Sequence, residues 1–199
     1  YSAYHHWVLG YSYEVVVSAG KGGVVWPLVA SAEPAHWHPS RTFPEKIARL
    51  PRSTRYVLAD AAYDTNRHGE RIEYDHLDRR TGRRLLCPQT YRRGEHRRPE
   101  QPRVEKGSRK RRRQRRDRRR AFFERPWSQN LFRRRSTTVE PFNDWLKTRF
   151  DLHERAWHRG LDNNRTQILA ILFSYQILLR YNHRHGHRNG QIQWILDAL

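Results

Sequence analysis

The sequence predicts an α/β fold, and three observations predict it. Two runs rich in aromatic and β-branched residues flank a glycine turn. A short apolar run ends in an acidic residue. Two later segments repeat their apolar residues at helical spacing, beyond a stretch dominated by arginine. The chain has 199 residues, enough for one domain with a real core.

Tyr11–Ala19 (YSYEVVVSA) reads as a strand, Gly20–Gly23 as a turn, and Val24–Ala30 (VVWPLVA) as a second strand. Together they predict a hairpin, with Trp7–Gly10 leading in and Pro27 marking an edge or a bulge. Ser31–Ser40 is expected as a loop. Its His36-x-His38 pair has metal-ligand spacing, although such a pair is more often a structural feature. Phe43–Leu50 reads as a short helix with Ile47 and Leu50 facing inward. Tyr56–Ala59 (YVLA) has the character of a buried central strand, and Asp60 follows it. A carboxylate there sits at the rim where open α/β sheets place their ligands; the alternative is that Asp60 only caps the next turn. Asp64 or Thr65 is the expected cap of a helix carrying Ile72 and Leu77, and Leu85–Cys87 reads as a short strand closed by Pro88.

Residues 89–125 change character. Arg109–Arg120 (RKRRRQRRDRRR) is close to pure cation, predicting an exposed loop or a helix formed on contact. Such an insertion suits a phosphate backbone, with Arg109, Lys110, Arg111, Arg112, Arg113, Arg115 and Arg116 as contact candidates. It has no interleaved aromatics, so base stacking is not indicated there.

Arg133–His158 reads as a helix starting near Thr138, with Ser136, Thr137 and Thr138 available as caps. Pro141 is tolerated only near a helix start, which places Glu140 in the first turn. Glu140 and Lys147 are seven residues apart and share a face. Val139, Phe142, Leu146 and Phe150 form a separate apolar stripe. An amphipathic helix with a surface Glu and Lys is the plainer reading. Asp162 or Asn163 is the expected cap of a long, largely buried helix over Asn164–Tyr181. Residues 182–199 read as a His-rich tail, with a short amphipathic helix over Gln191–Leu199; His183, His185 and His187 are weaker metal candidates.

Composition narrows the function. Forty Lys plus Arg against 20 Asp plus Glu give a formal net charge of +20, which points to a polyanionic partner, most simply nucleic acid. Seven Trp and ten Tyr argue against a disordered basic tail. The single cysteine, Cys87, excludes an internal disulfide and multi-cysteine zinc sites. No apolar run reaches membrane-spanning length and no signal peptide is recognisable. The absence of methionine, even at position 1, predicts a cut N-terminus.

Two motifs carry a family resemblance: Val57-Leu58-Ala59-Asp60-Ala61-Ala62-Tyr63-Asp64, and Arg135-Ser136-Thr137-Thr138-Val139-Glu140 followed by Phe142, Trp145, Leu146, Lys147, Arg149 and Phe150. With Gly10-Tyr11 entering a strand and the loop Ala32–His38, the chain resembles, from about Gly10 to Tyr181, the catalytic domain of DDE transposases of bacterial insertion sequences. The resemblance implies an RNase H-like mixed sheet flanked by helices over 1–181, with the basic insertion before the Glu-bearing helix. It implies Asp60 and Glu140 as the second and third acidic residues, converging to hold two Mg²⁺ or Mn²⁺ ions. It also implies Lys147, Arg135 and Arg149 near DNA, double-stranded element ends and target DNA as partners, a homo-oligomer when intact, and a bacterial cytoplasmic, nucleoid-associated setting. Three positions depart from the pattern. Ser12 replaces a Lys. Ser136 holds an Arg position, with Arg135 one residue early. Pro39 follows His38 where the family often has Asp. The family's first Asp lies upstream of the Gly-Tyr stretch, and nothing before Tyr11 here is an Asp. The expectation is therefore a truncated chain with little or no catalytic activity. The runner-up is a non-catalytic basic nucleic-acid-binding protein or decayed remnant, and a third reading is a zinc protein built on the two His-rich stretches.

Overall fold

The computed structural model describes residues 10–19, 24–88, 107–152, 156, 158–187 and 191–198. In chain order the elements are β1 (Tyr11–Ala19), β2 (Val25–Pro34), α1 (Phe43–Ala48), β3 (Tyr56–Leu58), α2 (Asn66–Glu73), β4 (Arg84–Leu86), α3 (Gly107–Phe123), α4 (Pro126–Arg133), α5 (Val139–Phe150), α6 (Leu161–Arg184) and α7 (Gln193–Asp197). The α/β class expected from the sequence is thus observed. The described strands form two two-stranded sheets, and the chain divides into two compact units, Tyr1–Arg41 with Arg134–Leu199, and Thr42–Arg133.

In the first unit β1 and β2 pair antiparallel from Tyr11 opposite Pro34 to Ala19 opposite Val25. The expected glycine turn and the lead-in at Trp7–Leu9 lie outside the described residues. The register slips between Val16 and Val17, which face Val29 and Pro27. Proline has no N–H to give the ladder, so a bulge beside Pro27 is its natural place. The second strand runs four residues past the expected Ala30, to Pro34. What holds it extended is on α6: Arg165 donates to the Ala32 carbonyl at 3.2 Å and faces the buried Glu33 carboxylate at 3.6 Å. Such a partner more than 130 residues away leaves no local signal.

The core of this unit joins Val25 and Ala32 to Phe142 and Leu146 of α5 and to Ile168, Ile171, Leu172, Tyr175 and Leu179 of α6, closed by Ile192. Tyr175 lies edge-on to Phe142 and Trp145, and burial pushes its phenol up to about 12. The helix over Asn164–Tyr181 is longer than expected and starts without a side-chain cap, after Gly160 at φ 86°. Asn164 is wholly buried; its amide donates to the His158 and Gly160 carbonyls and its oxygen accepts from Tyr13. The expectation of a helix buried most of the way round is corrected: Leu169, Phe173 and Ile177 are 54%, 64% and 50% exposed. Apolar residues on the outer face look the same in sequence as those on the core face. The expected tail is also partly structural. Asn182 is buried and accepts from Trp194, and Ile192 belongs to the core.

In the second unit β3 and β4 pair parallel, Tyr56 with Arg84 to Leu58 with Leu86, and Ala59 extends the ladder by donating to Leu86. Phe43, Ile47, Leu50, Val57, Ile72, Leu85 and Leu86 are buried. Arg83 fastens the end of α1, its guanidinium reaching the carbonyls of Ile47, Leu50 and Pro51 at 3.2–3.5 Å. Of the two expected caps of α2, Thr65 does the work, accepting from His68 N–H at 3.1 Å. The helix ends at Glu73, so Leu77, expected within it, is 58% exposed in the following turn.

The basic segment differs most from expectation. Residues 89–106 lie outside the described residues, but Gly107–Phe123 is a 17-residue helix folded within the chain itself. Counter-groups on and just after α2 hold it. Arg115 binds Asp78 at 2.6 Å and stacks over Tyr74 at 3.8 Å; Arg112 approaches Glu70; Arg119 is buried and donates to Asn66. Gly69 makes room for that last side chain. A methyl there would sit 2.3 Å from Arg119 Cζ. Gly69→Ala is therefore expected to push Arg119 off α2 and cost about 1–3 kcal/mol. Thermal melting followed by far-UV circular dichroism measures it; an unchanged melting temperature would show that α3 is not seated through this contact.

Candidate active site and nucleic-acid interface

Asp60 lies at the C-terminal end of a parallel strand, with its backbone held from both sides. Its carbonyl accepts from Cys87 Sγ and from Tyr63 N–H, and Ala59 before it is tied to Leu86. Asp60 precedes the 3-10 turn Ala61–Tyr63, but its carboxylate makes no capping hydrogen bond to that turn and is exposed. The capping role weighed from the sequence is therefore not what the carboxylate performs. Its position is that of a rim carboxylate on a parallel pair.

Glu140 is in the first turn of α5, after Thr138, where the sequence placed the start. The expected hydroxyl capping is not what holds that end: Thr138 donates backward to the Arg134 carbonyl at 2.8 Å. Phe142 and Leu146 anchor the helix, and Glu140 and Lys147 are both exposed. At 1.5 Å per residue they are roughly 10 Å apart along one face. Arg149 falls half a turn round from Glu140, since nine residues of 100° each leave 180°. Arg135 is half-buried in the preceding turn, and its carbonyl accepts from Val139 at 2.8 Å.

The candidate DNA contacts on α3 separate into two groups. Arg109, Lys110, Arg111 and Arg112 are exposed, whereas Arg115 is committed to Asp78 and Tyr74. The hydrogen bond from Arg115 holds the Asp78 carboxyl below its ordinary range, and Asp78 in turn raises the Arg115 guanidinium. Arg113 and Arg116 are half-buried, each 3.9 Å from Asp117. Glu73 is buried in the same unit, and burial raises its carboxyl despite the Arg119 and Arg84 charges. Sequence reasoning missed Arg119 and Glu33 as buried charges, because only their distant partners distinguish them from surface residues.

Among the described residues the two His-rich stretches gather no metal centre. His38 Nδ1 is engaged with Ser40, and among the described residues no three His, Cys, Asp or Glu side chains gather closely enough to hold an ion. No helix among the described residues is long and apolar enough to cross a membrane.

The described residues thus offer one exposed carboxylate at a parallel-strand end, another in the first turn of an amphipathic helix, and a docked helix of arginines. A family model described as Transposase DDE domain matches residues 2–177. The chain belongs to that family. No curated protein and no solved structure matches it. Membership implies DNA as the partner.

Proposed function

We propose that this chain is the catalytic-domain portion of a DNA transposase of a bacterial insertion sequence, with an RNase H-like core and with Asp60 and Glu140 as its metal-holding carboxylates. The observation that carries the reading is the family match over residues 2–177, which spans both acidic motifs. The donor chemistry fits. Mg²⁺ and Mn²⁺ take hard oxygen ligands, and both carboxylates are exposed. When bound, such ions stabilise the attacking and leaving oxygens of an in-line displacement at phosphorus. Asp60, pinned at Ala59 and through its own carbonyl, offers its carboxylate from a fixed backbone. Lys147, on the Glu140 face of α5, meets DNA phosphate as a point charge, and Arg135 and Arg149 add to the cationic surface. Asp60 is the first aspartate in the chain, so these 199 residues carry two of the family's three acidic residues. Cleavage by them alone is accordingly expected to stay near background, while DNA binding, which needs cationic charge rather than a third carboxylate, is expected to persist.

Iron-directed cleavage of the backbone tests the reading. With Fe²⁺ in place of Mg²⁺, ascorbate and peroxide are expected to cut the chain beside Asp60 and beside Glu140. Cuts at neither position would leave a cationic DNA-binding protein without an active site.

A further inference from the structure

In the first unit a cleft of about 390 Å³ opens between the start of β2 and the C-terminal end of α6. Its apolar lining is Val24, Trp26 and Leu179; its polar lining is Arg180, His183, Arg184 and His187. We infer that this cleft binds one unpaired nucleotide, with the base against Trp26 and the phosphate held by Arg180 and Arg184.

Four observations carry the inference. The Trp26 ring is half-buried beside the core and has no aromatic partner among the described residues, so the cleft offers a flat apolar surface. Bases of any sequence stack on such a surface. Arg180 and Arg184 are one helical turn apart, exposed, and paired with no carboxylate among the described residues. The C-terminal end of a helix ordinarily repels anions through its unpaired carbonyls. Here the last turn is closed: His185, Gly186 and His187 donate to the carbonyls of Tyr181, His183 and Asn182, with Gly186 at φ 84°. His187 is further steadied against the Trp194 ring at 5.0 Å. Finally, the volume suits one nucleotide and excludes a duplex.

The inference rests on DNA as the partner and adds a place for a base that has left the double helix. It is distinct from the exposed cations in the first turns of α3, Arg109–Arg112, among which no aromatic residue is interleaved. A free nucleotide has the same chemistry, so the test separates the two sources.

Fluorescence anisotropy on the full chain uses a labelled eight-residue oligothymidylate and an abasic oligomer of equal length. The wild type is expected to prefer the base-bearing strand. Trp26→Ala is expected to weaken that strand about five- to hundredfold and to leave the abasic one unchanged, whereas Trp26→Phe keeps most of the preference. Arg180→Gln with Arg184→Gln, at exposed positions that do not threaten the fold, is expected to weaken both strands alike. An unaltered single-strand affinity in that double variant, or a base preference that survives Trp26→Ala in a folded protein, overturns the inference. Full displacement of the strand by millimolar thymidine monophosphate assigns the cleft to free nucleotides; resistance to it assigns the cleft to a DNA strand. A duplex bound equally by wild type and Trp26→Ala leaves the transposase reading intact if the cleft fails. A wild type that binds no duplex overturns that reading, while base-dependent single-strand binding would still uphold the cleft.

Discussion

Between 50 and 200 mM salt the affinity of this chain for duplex DNA is expected to fall by about 10³–10⁵, the loss that follows when six to ten phosphates are neutralised. The formal charge of +20 is the physical source of that steep dependence. The structure now says which cations to alter. Removing the whole run would take out Arg115 and Arg119, which bind α3 to its own unit, and would confound binding with unfolding. Arg109, Lys110 and Arg111 are exposed on the outer turns. Changing all three to Gln is expected to lower the slope of log affinity against log salt by about 2.7, at 0.9 for each lost phosphate contact. Anisotropy titrations at several salt concentrations give the slope directly. An unchanged slope would make the first turns of α3 bystanders and move the DNA-contacting surface elsewhere.

Ile168→Ala is expected to destabilise the first unit by about 2–5 kcal/mol. Ile168 is wholly inaccessible and sits in the cluster that joins both strands of the hairpin to α5 and α6. Truncation removes the burial of three carbons and leaves a cavity that helix and sheet can only partly close. Since α5 carries Glu140, the loss reaches the candidate site through the packing of Phe142 and Leu146. The midpoint of urea unfolding, read by tryptophan fluorescence, reports the cost. Leu169→Ala, one position on and 54% exposed, is the control and should stay within about 0.5 kcal/mol. Equal effects of the two would contradict the assignment of the buried face.

Much of this arrangement is readable in the amino-acid order, and the reasons are local. Tyr11–Ala19 is a strand because its side chains fit a pleated sheet, and Pro27 sits beside a bulge because it has no N–H to donate. Thr138, Glu140 and Pro141 mark a helix start by chemistry confined to one turn. Asp60 is visible because a four-residue apolar run stops at it. What the sequence hides depends on partners far along the chain. Nothing near Arg115 or Arg119 announces Asp78, Tyr74 and Asn66, so a run that should repel itself is a docked helix. Nothing near Glu33 announces Arg165, which keeps β2 extended through Pro34. The apolar period of α6 shows a helix clearly, yet two apolar faces of equal character do not say which one meets the sheet. Of the candidate residues, the places of Asp60 after a strand and Glu140 in a first helical turn were legible, and their exposure was not.

Titration calorimetry with Mn²⁺ bears most directly on the assignment of these two residues. The wild type is expected to bind the ion, and Asp60→Asn and Glu140→Gln are each expected to weaken that binding at least tenfold while leaving the thermal melt unchanged. An isotherm that neither substitution alters would contradict the assignment of both carboxylates, and with it the proposal that this chain carries a transposase active site.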